Sequence, residues 1–210
     1  MSTVIDALRW RYATKKFDAH RVVPDASIST IKEAVNLAAT SYGLQPYRVV
    51  LVTDPEVKAK LREAAYGQPQ LTDASHIFVF ATKTDMTEAY VDDYMQRMAD
   101  TRGIDVANLE GFSNAIKGSV QAKGPDKIFD WNARQTYIGL GHLLMTAAIH
   151  DIDACPMEGF NPTQVDEILG LQEKGLSASV IAAVGYRSEE DQLAAAPKVR
   201  LPLDEFFHEI

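Results

Sequence analysis

Between positions 9 and 21 the sequence places five cations, Arg9, Arg11, Lys15, Lys16 and Arg21, in a chain whose 29 acidic residues outnumber its 21 lysines and arginines. A local positive cluster on a protein of net charge −8 suits a small anionic ligand, which guanidinium groups grip in paired, charge-assisted hydrogen bonds. A solvated helix end is the plainer account of the same residues. The net charge disfavours nucleic acid and anionic membrane surfaces, although Arg9, Trp10, Arg11 and Tyr12 do mix basic and aromatic side chains.

Other chemistries find less support. The five histidines form no HExxH pattern, and His142 and His150, eight residues apart, would point about 80° apart on a helix, so no metal site is expected. Gly139-Leu140-Gly141-His142 lacks the third glycine of a dinucleotide fingerprint and lies inside a helical pattern. Its two glycines are read instead as a place where another helix approaches closely. Cys155 is the single cysteine, which excludes an internal disulfide or a CxxC pair; before a proline in an apolar stretch it reads as buried, not nucleophilic. Any redox chemistry must then come from a cofactor.

The elements that would position these residues follow from periodicity. A short helix over 2–10, with Ser2 as a possible cap, presents the basic cluster just beyond its end. A second helix follows Pro24, with Asp25 or Ser27 as caps, and runs to a small-polar loop over 39–43. Strands are expected over 48–53, 76–83 and 179–186, with a helix opening at Asp54-Pro55, two more broken near Arg102-Gly103, and another capped by Asn161-Pro162. The longest helical signal, 130–150, is apolar on most sides and needs burial, as do Phe206, Phe207 and Ile210 in the tail. A second subunit could provide it. No linker divides the chain, so one domain over 1–210 is expected; the absence of a spanning apolar run or a secretory signal points to the cytoplasm.

Six segments carry more than their separate patterns do. They are Arg11-Tyr12-Ala13-Thr14-Lys15-Lys16-Phe17, Thr40-Ser41-Tyr42-Gly43-Leu44-Gln45-Pro46-Tyr47, Asp73-Ala74-Ser75-His76, Arg134-Gln135-Thr136-Tyr137, Pro156-Met157-Glu158-Gly159-Phe160 and Pro197-Lys198-Val199-Arg200-Leu201-Pro202. In this order, almost end to end, they resemble the FMN-dependent nitroreductase family, in particular its oxygen-insensitive NAD(P)H nitroreductase and dihydropteridine reductase branch.

The resemblance implies a three-layer α+β fold, a central mixed β-sheet flanked by helices, and an intertwined homodimer with two FMN sites in its interface. It implies that Arg11, Tyr12, Ala13 and Lys15 grip phosphate, ribityl chain and pyrimidine edge, and that Lys198 and Arg200 complete the phosphate grip. Ala39, Thr40, Ser41 and Gly43 would reach the partner's flavin. Gln68, Gln70 and Gln135 would supply amide contacts, the choice between the first two staying open. Pro156, Met157, Glu158 and Gly159 would lie along one flavin face, with Tyr42 and Phe112 as the substrate-side wall. No side chain need act as catalyst; Lys15 and Glu158 would support two-electron ping-pong hydride transfer through flavin N5, from NAD(P)H to nitroaromatics, quinones or similar acceptors. Flavin or enone reduction on the same scaffold, or flavin binding without turnover, are the alternatives.

Overall fold

The computed structural model describes residues 3–210. α1 (Val4–Trp10) opens on a capping box in which Thr3 Oγ1 accepts the Asp6 N–H and the Asp6 carboxylate accepts the Thr3 N–H, at 3.2 and 3.3 Å. The serine cap expected at Ser2 lies outside the described residues. Pro24 occupies the cap of α2 (Asp25–Asn36), so neither Asp25 nor Ser27 caps it; Asp25 instead puts its charge in the first turn, where the helix dipole favours it. β1 (Tyr47–Val52) leads into α3 (Pro55–Ala64), whose first amides Glu56 and Val57 donate to Asp54 Oδ1 at 2.8 and 3.0 Å. The chain continues through a single helical turn, α4 (Gln70–Asp73), β2 (His76–Lys83) and α5 (Glu88–Arg102), which stops at left-handed Gly103 with φ 65°. There follow α6 (Glu110–Lys123), α7 (Pro125–Ile149), β3 (Asp153–Met157), α8 (Pro162–Leu169), β4 (Leu176–Gly185) and a final turn, α9 (Leu203–Phe206).

The strands lie in the order β1-β2-β4-β3, every neighbouring pair antiparallel. A parallel component, which the mixed sheet of the sequence reading requires, enters only at the isolated bridge between Ala13 and Ala154. Alternation along β2 builds two cores. Ile77, Val79 and Ala81 meet Leu61, Leu71 and Val165 on one face, while Phe78 and Phe80 meet Ile31, Leu140 and Leu143 on the other. The result is three layers, with α3 and α8 on one side of the sheet and α2 and α7 on the other.

The reading of the two glycines changes. A Cβ at Gly139 would lie 2.6 Å from Tyr47 Oη, so the glycine admits the sheet, not a second helix; nothing comes within 4 Å of the corresponding point at Gly141. α7 is also not covered all round: Leu140, Leu143 and Ala147 are buried, but Tyr137 and Ile138 stand exposed. Phe206 and Phe207 pack edge to face on each other and are likewise exposed. No helix among the described residues is long and apolar enough to cross a membrane.

β2 begins at a buried histidine whose Nδ1 lies 2.7 Å from Ser75 Oγ. Burial lowers the His76 imidazole below its ordinary value; Asp25 pulls it back up and Lys58 pushes it further down. The unfolded chain takes up this proton near pH 6.5, as an ordinary histidine does, and the folded chain resists it. The contribution to stability is therefore intact above about pH 6.5 and is lost as pH falls through the folded value. His76→Asn should flatten the fall in urea midpoint between about pH 7.5 and 5.5, and an unchanged slope would reject the assignment.

Candidate functional site

The segment 11–17 has no regular structure of its own, and two aspartates from the far end of the chain hold it. Asp153, first residue of β3, is 3% exposed. Its Oδ1 accepts from Thr14 Oγ1 at 3.3 Å and from Arg187 Nε at 2.8 Å, and its Oδ2 accepts the Arg187 N–H at 2.9 Å. The Arg187 guanidinium lies over both the Trp10 and Tyr12 rings, 4.1 and 4.7 Å from their centroids. Asp191 Oδ2 accepts from the Lys15 N–H at 2.7 Å, the Lys16 N–H at 3.0 Å and Tyr12 Oη at 3.0 Å. Burial alone would raise the Asp191 carboxyl, but these bonds and the Leu193 N–H outweigh it and hold it below its ordinary value. Burial first, then the bond to Asp191, pushes the Tyr12 hydroxyl up to about 12.

Backbone and Tyr12 being thus committed, Arg11 faces the cations of the tail. Lys198 Nζ donates to the Arg11 carbonyl. Burial and then the charge of Arg200 lower the Arg11 guanidinium, and burial followed by Arg11, Arg200 and Arg187 lowers the Lys198 ammonium. None of Arg11, Lys15, Lys198 and Arg200 has an ion-pair partner among the described residues. Crowded cations without an ion-pair partner among the described residues are a donor set for a multiply charged anion, and a phosphate monoester such as that of FMN fits it. Lys15 Nζ also lies 4.0 Å from Cys155 Sγ; burial pushes that thiol up despite the pull of Lys15 and Arg11, which leaves it protonated and unsuited to attack.

β3 passes this segment at Ala154 and Cys155 and ends two residues later. Met157 is buried, leaving its backbone as the available part, while Glu158 and Gly159 are exposed. Gln68 Nε2 donates to the Gly159 carbonyl at 2.6 Å and to that of Ala65 at 3.1 Å, so Gln68 braces the strand end. Gln70 is buried in α4, with its Oε1 unpartnered. Tyr137 Oη donates to Glu158 Oε1 at 2.6 Å, and burial, then this bond, pushes its hydroxyl up to about 12.

The remaining sequence-derived residues form a second group. The Ser41 N–H donates to Gln135 Oε1 at 2.8 Å and the Gln45 N–H to Thr40 Oγ1 at 3.0 Å, while exposed Ala39 leads into this loop. Gln135 Nε2 is also taken, by the Trp131 carbonyl at 3.1 Å one turn back in α7, so the amide is fixed to its own helix and holds the loop through Oε1. Gly43 has φ 77°, and a Cβ there would run into Tyr94 Oη. Tyr42, itself left-handed at φ 58°, sets its ring 6.2 Å from that of Phe112, edge to face. This loop and the residues that follow β3 meet opposite sides of α7. Gln135 faces Ser41 and Tyr137 faces Glu158, two residues and thus about 200° further round the helix.

One chain therefore brings together Arg11, Tyr12, Ala13, Lys15, Lys198, Arg200 and the end of β3, and separately the loop 39–43 with Gln135 and Phe112. Sequence reasoning missed Asp153, Arg187 and Asp191. Only the position of Asp153 ahead of an apolar strand hinted at a buried carboxylate, and Asp191 follows two glutamates that hide it. A cavity of about 350 Å³ between α2 and β1, edged by Lys32, Arg48 and Arg97, includes neither group.

The nitroreductase family model matches residues 8–186. YfkO of Bacillus subtilis strain 168, which carries the name NAD(P)H nitroreductase, is 34% identical over 213 residues, covering 96% of this chain and 95% of YfkO. Among solved structures, the nitroreductase ydfN of Bacillus subtilis superposes with a TM-score of 0.87 at 20% identity, covering 98% of each chain. A nitroreductase from Exiguobacterium sibiricum 255-15, solved in complex with FMN, superposes with a TM-score of 0.84 at 19% identity over 100% of this chain and 98% of its own. Those two likenesses establish the fold, and the family match over most of the length, with a relative one-third identical across nearly all of both chains, establishes the kinship: this chain belongs to the nitroreductase family.

Proposed function

We propose that the chain, as one unit over 1–210, holds FMN without a covalent bond and reduces nitroaromatics, quinones or similar acceptors at the expense of NADH or NADPH, as a cytoplasmic homodimer. The observation that carries this reading is the convergence of Arg11, Lys198 and Arg200 with no ion-pair partner among the described residues. Arg11 and Arg200 bind the phosphate, with Lys198 bridging the two chain ends. Lys15 holds positive charge at the pyrimidine edge. The backbone of 156–159, stiffened by Gln68 and by the Tyr137–Glu158 bond, lies along one face and excludes water there. FMN, when bound, supplies the atom that accepts a hydride from the nicotinamide and passes it to the acceptor. One open pocket can serve both substrates in turn.

The loop 39–43 meets α7 at Gln135, on the side away from Tyr137 and Glu158, and we read it as serving a partner's site. Exposed Ile138, Phe206 and Phe207 are the apolar surface on which that partner rests. FMN binding and dimerisation are then linked, because a ligand that binds only the dimer stabilises it by mass action. Sedimentation with flavin and protein absorbance recorded together should show a yellow dimer that NAD(P)H bleaches, an apoprotein that dissociates at higher concentration, and joint loss of dimer and flavin on deleting 204–210. A monomer carrying stoichiometric FMN would remove the interfacial model. Release of FAD, or no flavin after reconstitution, would remove the whole reading.

A further inference from the structure

The aromatic pair Tyr42 and Phe112 continues into a polar cluster that the proposed chemistry leaves unused. Phe112, Ser119 and Lys123 fall along one stripe of α6, and Tyr42 lies against it, its ring beside Phe112 and its Oη 3.1 Å from Ser119 Oγ. Lys123 Nζ donates to the same Ser119 Oγ at 3.1 Å and stands 5.0 Å from the centroid of the Trp131 ring. Its only other contact of this kind is with the Ser119 carbonyl at 3.4 Å.

The hydrogen count leaves donors to spare. An ammonium has three protons, and Lys123 spends two of them within its own helix turn. Tyr42 Oη donates to Ser119 Oγ, and the hydroxyl hydrogen of Ser119 has no acceptor among the described residues. No carboxylate pairs with Lys123 among the described residues either, in a chain where acids outnumber bases by 29 to 21. A lysine in the last turn of a helix also favours the dipole, but that role requires neither the Tyr42 link nor the indole beneath the ammonium.

We infer that Ser119 and Lys123 form an anion subsite at the edge of the Tyr42–Phe112 wall, so that the preferred acceptors are aromatic compounds carrying a carboxylate or a comparable anionic substituent. The inference rests on the reading of that wall as the acceptor side of a nitroreductase. The ring packs on Tyr42 and Phe112 while its anionic group takes the free hydrogens of Ser119 and Lys123, with Trp131 shielding the ammonium from water.

The test compares two probes with the same ring, 4-nitrobenzoate and 4-nitrobenzyl alcohol, on the protein as purified. Binding is measured by calorimetry without NAD(P)H, and turnover with it. Wild type should bind the nitrobenzoate about tenfold more tightly, as one charge-assisted contact at a half-exposed site allows. Lys123→Gln should bring the two affinities together, Lys123→Arg should keep them apart, and Ser119→Ala should narrow the gap. Equal affinities in wild type, or a preference that survives in Lys123→Gln, would overturn the subsite. Binding is read without turnover, so the two readings fail separately. A charge preference with no reduction of either probe sinks the activity and keeps the subsite, and reduction of both with no preference sinks the subsite alone.

Discussion

Asp153→Ala should cost about 3–5 kcal/mol of folding stability, the range found when one partner of a buried ion pair is deleted. The carboxylate is almost fully buried; it accepts from Thr14, the Arg187 N–H and Arg187 Nε, and Nη2 of the same guanidinium lies 2.6 Å away as its ion-pair partner. Alanine would leave Arg187 charged beneath Trp10 and Tyr12 with its principal counter-charge gone. Asp153→Asn keeps the shape and one acceptor oxygen, so its loss should be smaller. Urea unfolding of both variants gives the comparison, and flavin retention should fall in the same order, since Thr14 and the Ala13–Ala154 bridge seat the segment proposed to bind phosphate. A midpoint for the alanine variant close to that of wild type would mean that the segment is held by something else.

Arg200→Ala should weaken FMN retention by about tenfold to a hundredfold, the loss expected when a charged group gives up a hydrogen bond to an anion. Lys16→Ala is the control. Lys16 belongs to the same basic cluster in sequence, but its ammonium points to Glu190 in a surface pair at 3.4 Å, and such pairs contribute little. The two variants remove equal charge, so a purely long-range attraction would weaken binding equally in both. Fluorescence titration of apoprotein with FMN separates the cases: similar dissociation constants would take Arg200 out of the site.

The helices and the central strands were legible wherever local chemistry decides the outcome. Asp54-Pro55 and Asn161-Pro162 open helices because side-chain oxygens meet free amides there, and Gly103 closes one because only a left-handed residue fits. β3 was not readable from its pattern, since Pro156 argues against a strand; it survives at the sheet edge, where a missing N–H costs nothing. The cap at Pro24 and the neighbour of Gly139 depend on tertiary placement, as does the bracing of 11–17 by Asp153 and Asp191. For the binding residues, composition gave only the basic cluster at the start of the chain. The matching pair at Lys198 and Arg200 came from the order of motifs, because nothing in a single sequence says that two segments almost 190 residues apart meet.

That separation bears on how the protein is made. Tyr12, Thr14 and Lys15 are fixed by residues 179, 139 and 176 positions further along, so the segment that carries Arg11 cannot settle while the ribosome is still extending the chain. Synthesis at about 5–20 residues per second leaves the first cations waiting on the order of ten seconds or more for their supports. Throughout that interval the proposed anion grip does not exist, and a nascent chain interrupted before Asp191 carries the basic residues without the means to arrange them.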